Sequence, residues 1–115
     1  MIIVRKDDGE TFIPPGHEGM EARKLYGPEN GSDKAAFHLS TLSPGGGMTE
    51  EVHDGSDQIF YVLSGKITAV TDGKEIGLLE AGDGIHVAAG DSHAFRNTGD
   101  EPCRLIVVTV PPIVP

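Results

Sequence analysis

Residues Gly45 to Gly65 read Gly45-Gly46-Gly47-Met48-Thr49-Glu50-Glu51-Val52-His53-Asp54-Gly55-Ser56-Asp57-Gln58-Ile59-Phe60-Tyr61-Val62-Leu63-Ser64-Gly65. The opening glycines, preceded by Ser43-Pro44, disfavour ladder pairing and are expected to stop the strand Ala36 to Leu42. Gln58 to Leu63 is β-branched and aromatic, and reads as the next strand. Its alternation places Gln58, Phe60 and Val62 on one face. Glu51 and His53 are two apart on an extended segment, so they too share a face. Polar residues able to ligate a metal therefore precede and open an otherwise apolar strand.

Outward from this stretch, apolar residues recur at a period near two from about Ala35 to Val110, in short segments divided by turn signals. Lys66 to Thr71 and Lys74 to Leu79 flank Asp72-Gly73, the residue pair that a tight hairpin turn prefers. Ile85 to Val87, His93 to Asn97 and Arg104 to Val110 complete the strand set. The region Gly16 to Tyr26 is expected to form a short turn of helix. The tail Pro111 to Pro115 lacks the donors a central strand needs. A chain of 115 residues suits a single domain spanning 1–115. The barrel occupies about 35–110, with N-terminal strands and a loop over 1–34 and the tail over 111–115. With 37% hydrophobic and 23% charged residues, 16 glycines and 8 prolines, the composition is that of a turn-rich, all-β globule.

Nine basic against eighteen acidic side chains give a net charge of -9, which argues against nucleic acid or an anionic membrane as a partner. Arg23 and Lys24 are read as a solvated surface pair. The single cysteine, Cys103, demands no oxidising compartment and is expected to serve as a small hydrophobe. Met1 to Val4 is too short an apolar run for a signal peptide or a membrane span. A soluble, unprocessed cytoplasmic protein is the expectation.

A third strand sets His93, Phe95 and Asn97 on one face. Where that face meets those of Glu51, His53 and Gln58, a carboxylate, two imidazoles and an amide oxygen converge, a plausible ligand set for a divalent first-row metal. Here the chain resembles the cupin family. That family's first motif reads G, five residues, H-x-H, three or four residues, E, six residues, G. It is matched in spacing by Gly45, Glu51, His53, Gln58 and Gly65. The second, G, five residues, P-x-G, two residues, H, three residues, N, is matched by Gly82, Ala88, Gly90, His93 and Asn97. The resemblance implies a double-stranded β-helix, or jelly roll, with one metal near an open end. Two ligands depart from the pattern, Glu51 standing for the first histidine and Gln58 for the glutamate. The formal ligand charge stays at -1, and iron, manganese, zinc and nickel all remain candidates. A metal-free pocket that binds a ligand directly is the alternative.

Phe60, Val62, Phe95 and Asn97 are expected to wall the pocket. His86 and His38, each between apolar neighbours, are expected to face away from it, His17 to sit in a solvated loop, and Asp54 and Asp57 to serve turns. An open metal site in an apolar barrel suits a small oxygenated substrate. Isomerisation of an enolisable compound, with Glu51 as the alternative base, and dioxygen-dependent cleavage both fit. The rival class is a barrel that binds or senses a small ligand without turnover. The outward residues Ile59, Tyr61 and Leu63 are apolar, as is the last strand on both faces, which calls for a cover. Either the N-terminal segment with Ile2, Ile3, Phe12 and Ile13 supplies it, or a second copy does, and a homodimer is expected.

Overall fold

The computed structural model describes residues 1–113; of the tail, Val114 and Pro115 lie outside the described residues. Nine strands run in chain order: β1 (Thr11–Phe12), β2 (His17–Tyr26), β3 (Ala36–Met48), β4 (Asp57–Ser64), β5 (Lys66–Thr71), β6 (Lys74–Glu80), β7 (Gly84–Val87), β8 (Ala94–Arg96) and β9 (Cys103–Val110). Helical structure among the described residues is confined to one 3-10 turn, Pro28–Asn30. All pairings are antiparallel. The path β6-β5-β8-β3-β9-β4-β7 wraps on itself because β3 is shared: its first half pairs with β9 and its end with β8. β2 runs along the other edge of β3 and carries β1. The result is the all-β barrel that the strand rhythm suited and the jelly roll that the cupin resemblance implied.

The alternation of β4 and β9 builds the interior. Gln58, Phe60 and Val62 point inward from β4, and Cys103, Leu105, Val107 and Thr109 from β9. They meet Leu42, Met48, Ile67, Ala94 and Phe95 in one core. Each fully buried aliphatic or aromatic side chain there contributes about 2 kcal/mol of transfer free energy. Cys103 is fully buried, and burial pushes its thiol above the ordinary value, as suits a packing residue. Gly65 makes the turn from β4 to β5 at φ 78°, and a Cβ there would stand 2.4 Å from the Pro102 carbonyl oxygen. Asp72 and Gly73 adopt φ 52° and 76°, the paired left-handed geometry of the β5–β6 hairpin.

Two expectations fail locally. In the region Gly16 to Tyr26, His17–Tyr26 is strand, not helix: β2 takes up register with β3 from His17 opposite Met48 to Tyr26 opposite Phe37. Its Glu, Met, Ala, Arg and Lys residues favour helix weakly, and the free edge of β3 outweighs that preference. Nor do Ser43 to Gly47 end β3. The register between β2 and β3 slips there, and the strand turns a corner while backbone bonds to Asn97 hold it: the Gly45 N–H donates to the Asn97 carbonyl at 2.9 Å, and the Asn97 N–H to the Gly46 carbonyl at 2.8 Å.

Candidate metal centre and cavity

His93 lies just before β8, where it forms an isolated antiparallel bridge with Glu51. Each N–H donates to the other's carbonyl at 3.0 Å, so two residues 42 positions apart become direct cross-strand neighbours. His53 is fixed from behind, its carbonyl accepting the Gly90 N–H at 3.0 Å. The three side chains converge. The Glu51 Oε1 atom is 3.1 Å from His53 Nε2 and 3.8 Å from His93 Nε2, and all three ligand atoms fit within 4.8 Å of one another. Donors sharing one ion at about 2.1 Å in a tetrahedral arrangement stand roughly 3.4 Å apart, so the spacing matches.

Donor chemistry gives a second test of fit. His93 is 4% exposed, and its Nδ1–H donates to the Asp91 carbonyl at 3.1 Å. That bond leaves the lone pair on Nε2, which is buried without a hydrogen-bond partner. Gln58 is 8% exposed and donates its amide to Thr109 Oγ1 at 3.1 Å, leaving Oε1 buried and equally unpartnered. A buried acceptor without a donor costs roughly 1–3 kcal/mol, and an ion removes that cost. The residues present fit a divalent metal.

Glu50, next to Glu51, reaches the opposite way. The Gly73 N–H, the Ser92 hydroxyl and the Asp72 N–H all donate to its carboxylate and hold it below the ordinary carboxylate range. This clamp joins the Glu51 segment to the β5–β6 turn and to the residue before His93. Ala88 stands where the cupin pattern has proline. Its N–H, which proline lacks, donates to Asp91 Oδ2 at 3.2 Å while the Asp91 N–H returns a bond to the Ala88 carbonyl at 3.0 Å.

Behind this group lies a cavity of about 470 Å³, lined mainly by apolar side chains and opening onto Glu51, His53 and Gln58. Phe60 and Phe95 line it, with ring centroids 4.4 Å apart. Val62 and Asn97, expected in its wall, lie outside it. Val62 is sealed in the core, and Asn97 is a staple: its amide donates to the Leu42 and Glu101 carbonyls at 3.0 and 2.8 Å, and its Oδ1 accepts the Gly99 N–H. His86 is exposed as expected, 3.4 Å from Asp57 across the β4–β7 edge.

His38 reverses its expectation and lines the cavity. Both faces of β3 carry apolar residues, so alternation could not choose between them; pairing with the inward Val107 does. His17 also lines the cavity instead of sitting in a solvated loop, with Nδ1–H donating to the Pro15 carbonyl at 2.8 Å. Lys24, opposite His38 in register, lines it too while pairing with Glu29, so it is not simply a solvated surface charge. Thr109, which orients Gln58, carries no sequence signal beyond its place in the inward set of β9. Among the described residues, no helix is long and apolar enough to cross a membrane.

Comparison with known proteins agrees with this architecture. A family model described as a cupin domain matches residues 38–109. The tetracenomycin polyketide synthase protein TcmJ of Streptomyces glaucescens is 30% identical over 108 residues, covering 91% of this chain and 70% of that protein. An oxalate-binding protein of Thermotoga maritima is 29% identical over 96 residues, covering 83% and 78%. The solved polyketide cyclase RemF of Streptomyces resistomycificus superposes with a TM-score of 0.86 at 26% identity, covering all of this chain and 82% of that one. With its barrel, its motif glycines and its converging histidines in place, the chain belongs to the cupin family.

Proposed function

We propose that this protein is a metal-dependent cupin enzyme that holds one divalent ion through Glu51, His53 and His93, with Gln58 Oε1 as a fourth donor, and acts on a small oxygenated compound. The observation that carries the reading is the convergence of Glu51, His53 and His93 with His93 Nε2 buried and unpartnered, and with the equally unpartnered Gln58 Oε1 belonging to a residue that lines the same cavity as Glu51 and His53. When bound, the ion supplies Lewis acidity toward a substrate carbonyl or enolate oxygen. The protein's own part is to exclude water with the Phe60 and Phe95 wall; Glu51 serves as base only in the alternative in which His53, His93 and Gln58 hold the ion without it. Enolisation, isomerisation or cyclisation chemistry is favoured over oxygen cleavage because two of the relatives, TcmJ and RemF, are named for polyketide synthesis and cyclisation. A binding barrel without turnover is the second reading, supported by the oxalate-binding relative.

Elemental analysis after purification, repeated on the His53→Ala, His93→Ala double variant, tests the centre. The wild type is expected to retain close to one equivalent of a first-row metal and the variant to bind it at least about 100-fold more weakly. Full retention by a folded variant overturns the assignment. Solvent deuterium exchange into enolisable ketones, followed by NMR on the metal-loaded protein, tests the chemistry. Exchange supports it, oxygen uptake without exchange points to an oxygenase, and binding without either points to the binding barrel.

The homodimer is also proposed. Ile59, Tyr61 and Leu63 are 49%, 45% and 42% exposed in the single chain. The N-terminal segment does not cover them: Phe12 turns to the cavity and packs edge-on against His38, while Ile2, Ile3 and Ile13 stay exposed.

A further inference from the structure

The cavity is far larger than a metal-chelating head group needs, and two polar side chains, His38 and Lys24, stand in its otherwise mainly apolar far side. His38 on β3 is paired with Val107 on β9, which is paired with Phe60 on β4. Two strand spacings put His38 and Phe60 on the order of 10 Å apart. The Phe60 ring lies 5.9 Å from that of His93, beside the candidate metal centre. His38 therefore faces the site across the width of the sheet, with Val107 on the floor between and Leu105 in the adjoining row. Its ring packs edge-on to Phe12 at 5.9 Å. Among the described residues nothing hydrogen-bonds it. Burial foremost, with the Lys24 ammonium adding to it, holds the imidazole below its ordinary value, so near neutral pH it is uncharged and offers one donor and one acceptor. Lys24 lines the cavity beside it.

We infer that His38, with Lys24 beside it, is a second polar pole of the cavity, and that the ligand is an elongated multi-ring phenol or quinone. Adjacent oxygens at one end meet the metal centre, and an oxygen on the far ring meets His38. This rests on the metal reading for its first end only. The floor and walls between the poles are apolar and carry the Phe60 and Phe95 rings, which suits stacked or edge-on aromatic surface. A single-ring chelator is too short to touch both poles.

Three probes separate the parts: catechol, which offers only the chelating end; alizarin, which adds two further rings; and flavopurpurin, which is alizarin with a hydroxyl on the far ring. Each is titrated calorimetrically into metal-loaded and metal-free protein, as wild type, His38→Phe and His38→Gln, with thermal melts confirming that both variants fold. Flavopurpurin is expected to bind loaded wild type roughly five- to ten-fold tighter than alizarin, the worth of one hydrogen bond. His38→Phe is expected to erase that preference while leaving catechol affinity unchanged, and His38→Gln to restore part of it. Equal affinity for the two anthraquinones in wild type, or a preference that survives His38→Phe, overturns the inference. If metal-free protein binds all three as tightly as loaded protein while the His38-dependent preference persists, the metal reading falls and the His38 pole stands.

Discussion

Each residue at the mouth has its chemistry set by one partner. Thr109 does this for Gln58: by accepting from the amide nitrogen it leaves the carbonyl oxygen buried and unpartnered, free for the proposed fourth-donor role. Replacing Gln58 with Glu adds a second carboxylate to Glu51 and makes the formal ligand charge -2, so divalent affinity is expected to rise about ten-fold or more. Metal titration of both forms checks this, and equal affinities place Gln58 away from the ion. His38 makes a different prediction, about stability. Its folded-state value is lowered from 6.5, first by burial and then by Lys24, with Glu29 opposing. The folded protein thus binds fewer protons here than the unfolded chain. The associated stability is present in full above pH 6.5, erodes as pH falls below that, and is gone once pH has passed the folded value. Melting temperatures across that window should fall more steeply for the wild type than for His38→Gln. Parallel curves would show that His38 is not desolvated.

At the level of elements, the barrel depends on places where a strand must bend or the chain must turn without room for a side chain. Gly65 combines a left-handed φ with a carbonyl oxygen 2.4 Å from where its Cβ would be. Gly65→Ala is expected to cost about 2–4 kcal/mol, read as a shift in denaturant midpoint at unchanged slope. A loss under about 1 kcal/mol would mean that the β4–β5 turn relaxes freely. β3 is the element that makes one sheet into a barrel, since its bend at Ser43 to Gly47 passes the ladder from β9 to β8. The glycines there read as a strand stop because, without the tertiary bonds to Asn97, that is how such a run behaves. β2 was obscured for a related reason, its residues being ordinary helix formers stabilised as strand by a neighbour distant in sequence.

Over the whole molecule, the outer face of the β3–β9–β4 sheet is apolar along two complete rows. Phe37, Val108 and Ile59 form one, and Leu39, Ile106 and Tyr61 the other. A sheet meeting water on that side would alternate toward polar residues. A second copy is expected to cover this face through a two-fold interface. Sedimentation at micromolar concentration should give twice the 12.1 kDa chain mass, and Tyr61→Glu should shift it toward the single chain. A wild type that sediments as one chain throughout the range rules the dimer out.

The fold, and the convergence of Glu51, His53 and His93, were legible in the sequence alone. Strand period, the Asp72-Gly73 turn and the glycine spacing are local signals, and each reflects backbone conformation that the residues themselves prefer. The same spacing singled out Glu51, His53, Gln58 and His93. Alternation says which residues share a face, but not which face is inside when both are apolar. For that reason only the tertiary structure decided that His38 enters the cavity, while Val62 and Asn97, inward as alternation required, are buried outside the cavity lining, a placement along the barrel that alternation does not encode. Pairings across 42 residues for Glu51 with His93, and 51 for Gln58 with Thr109, likewise belong to the folded chain. They arise from strand register, which closes only when the barrel does.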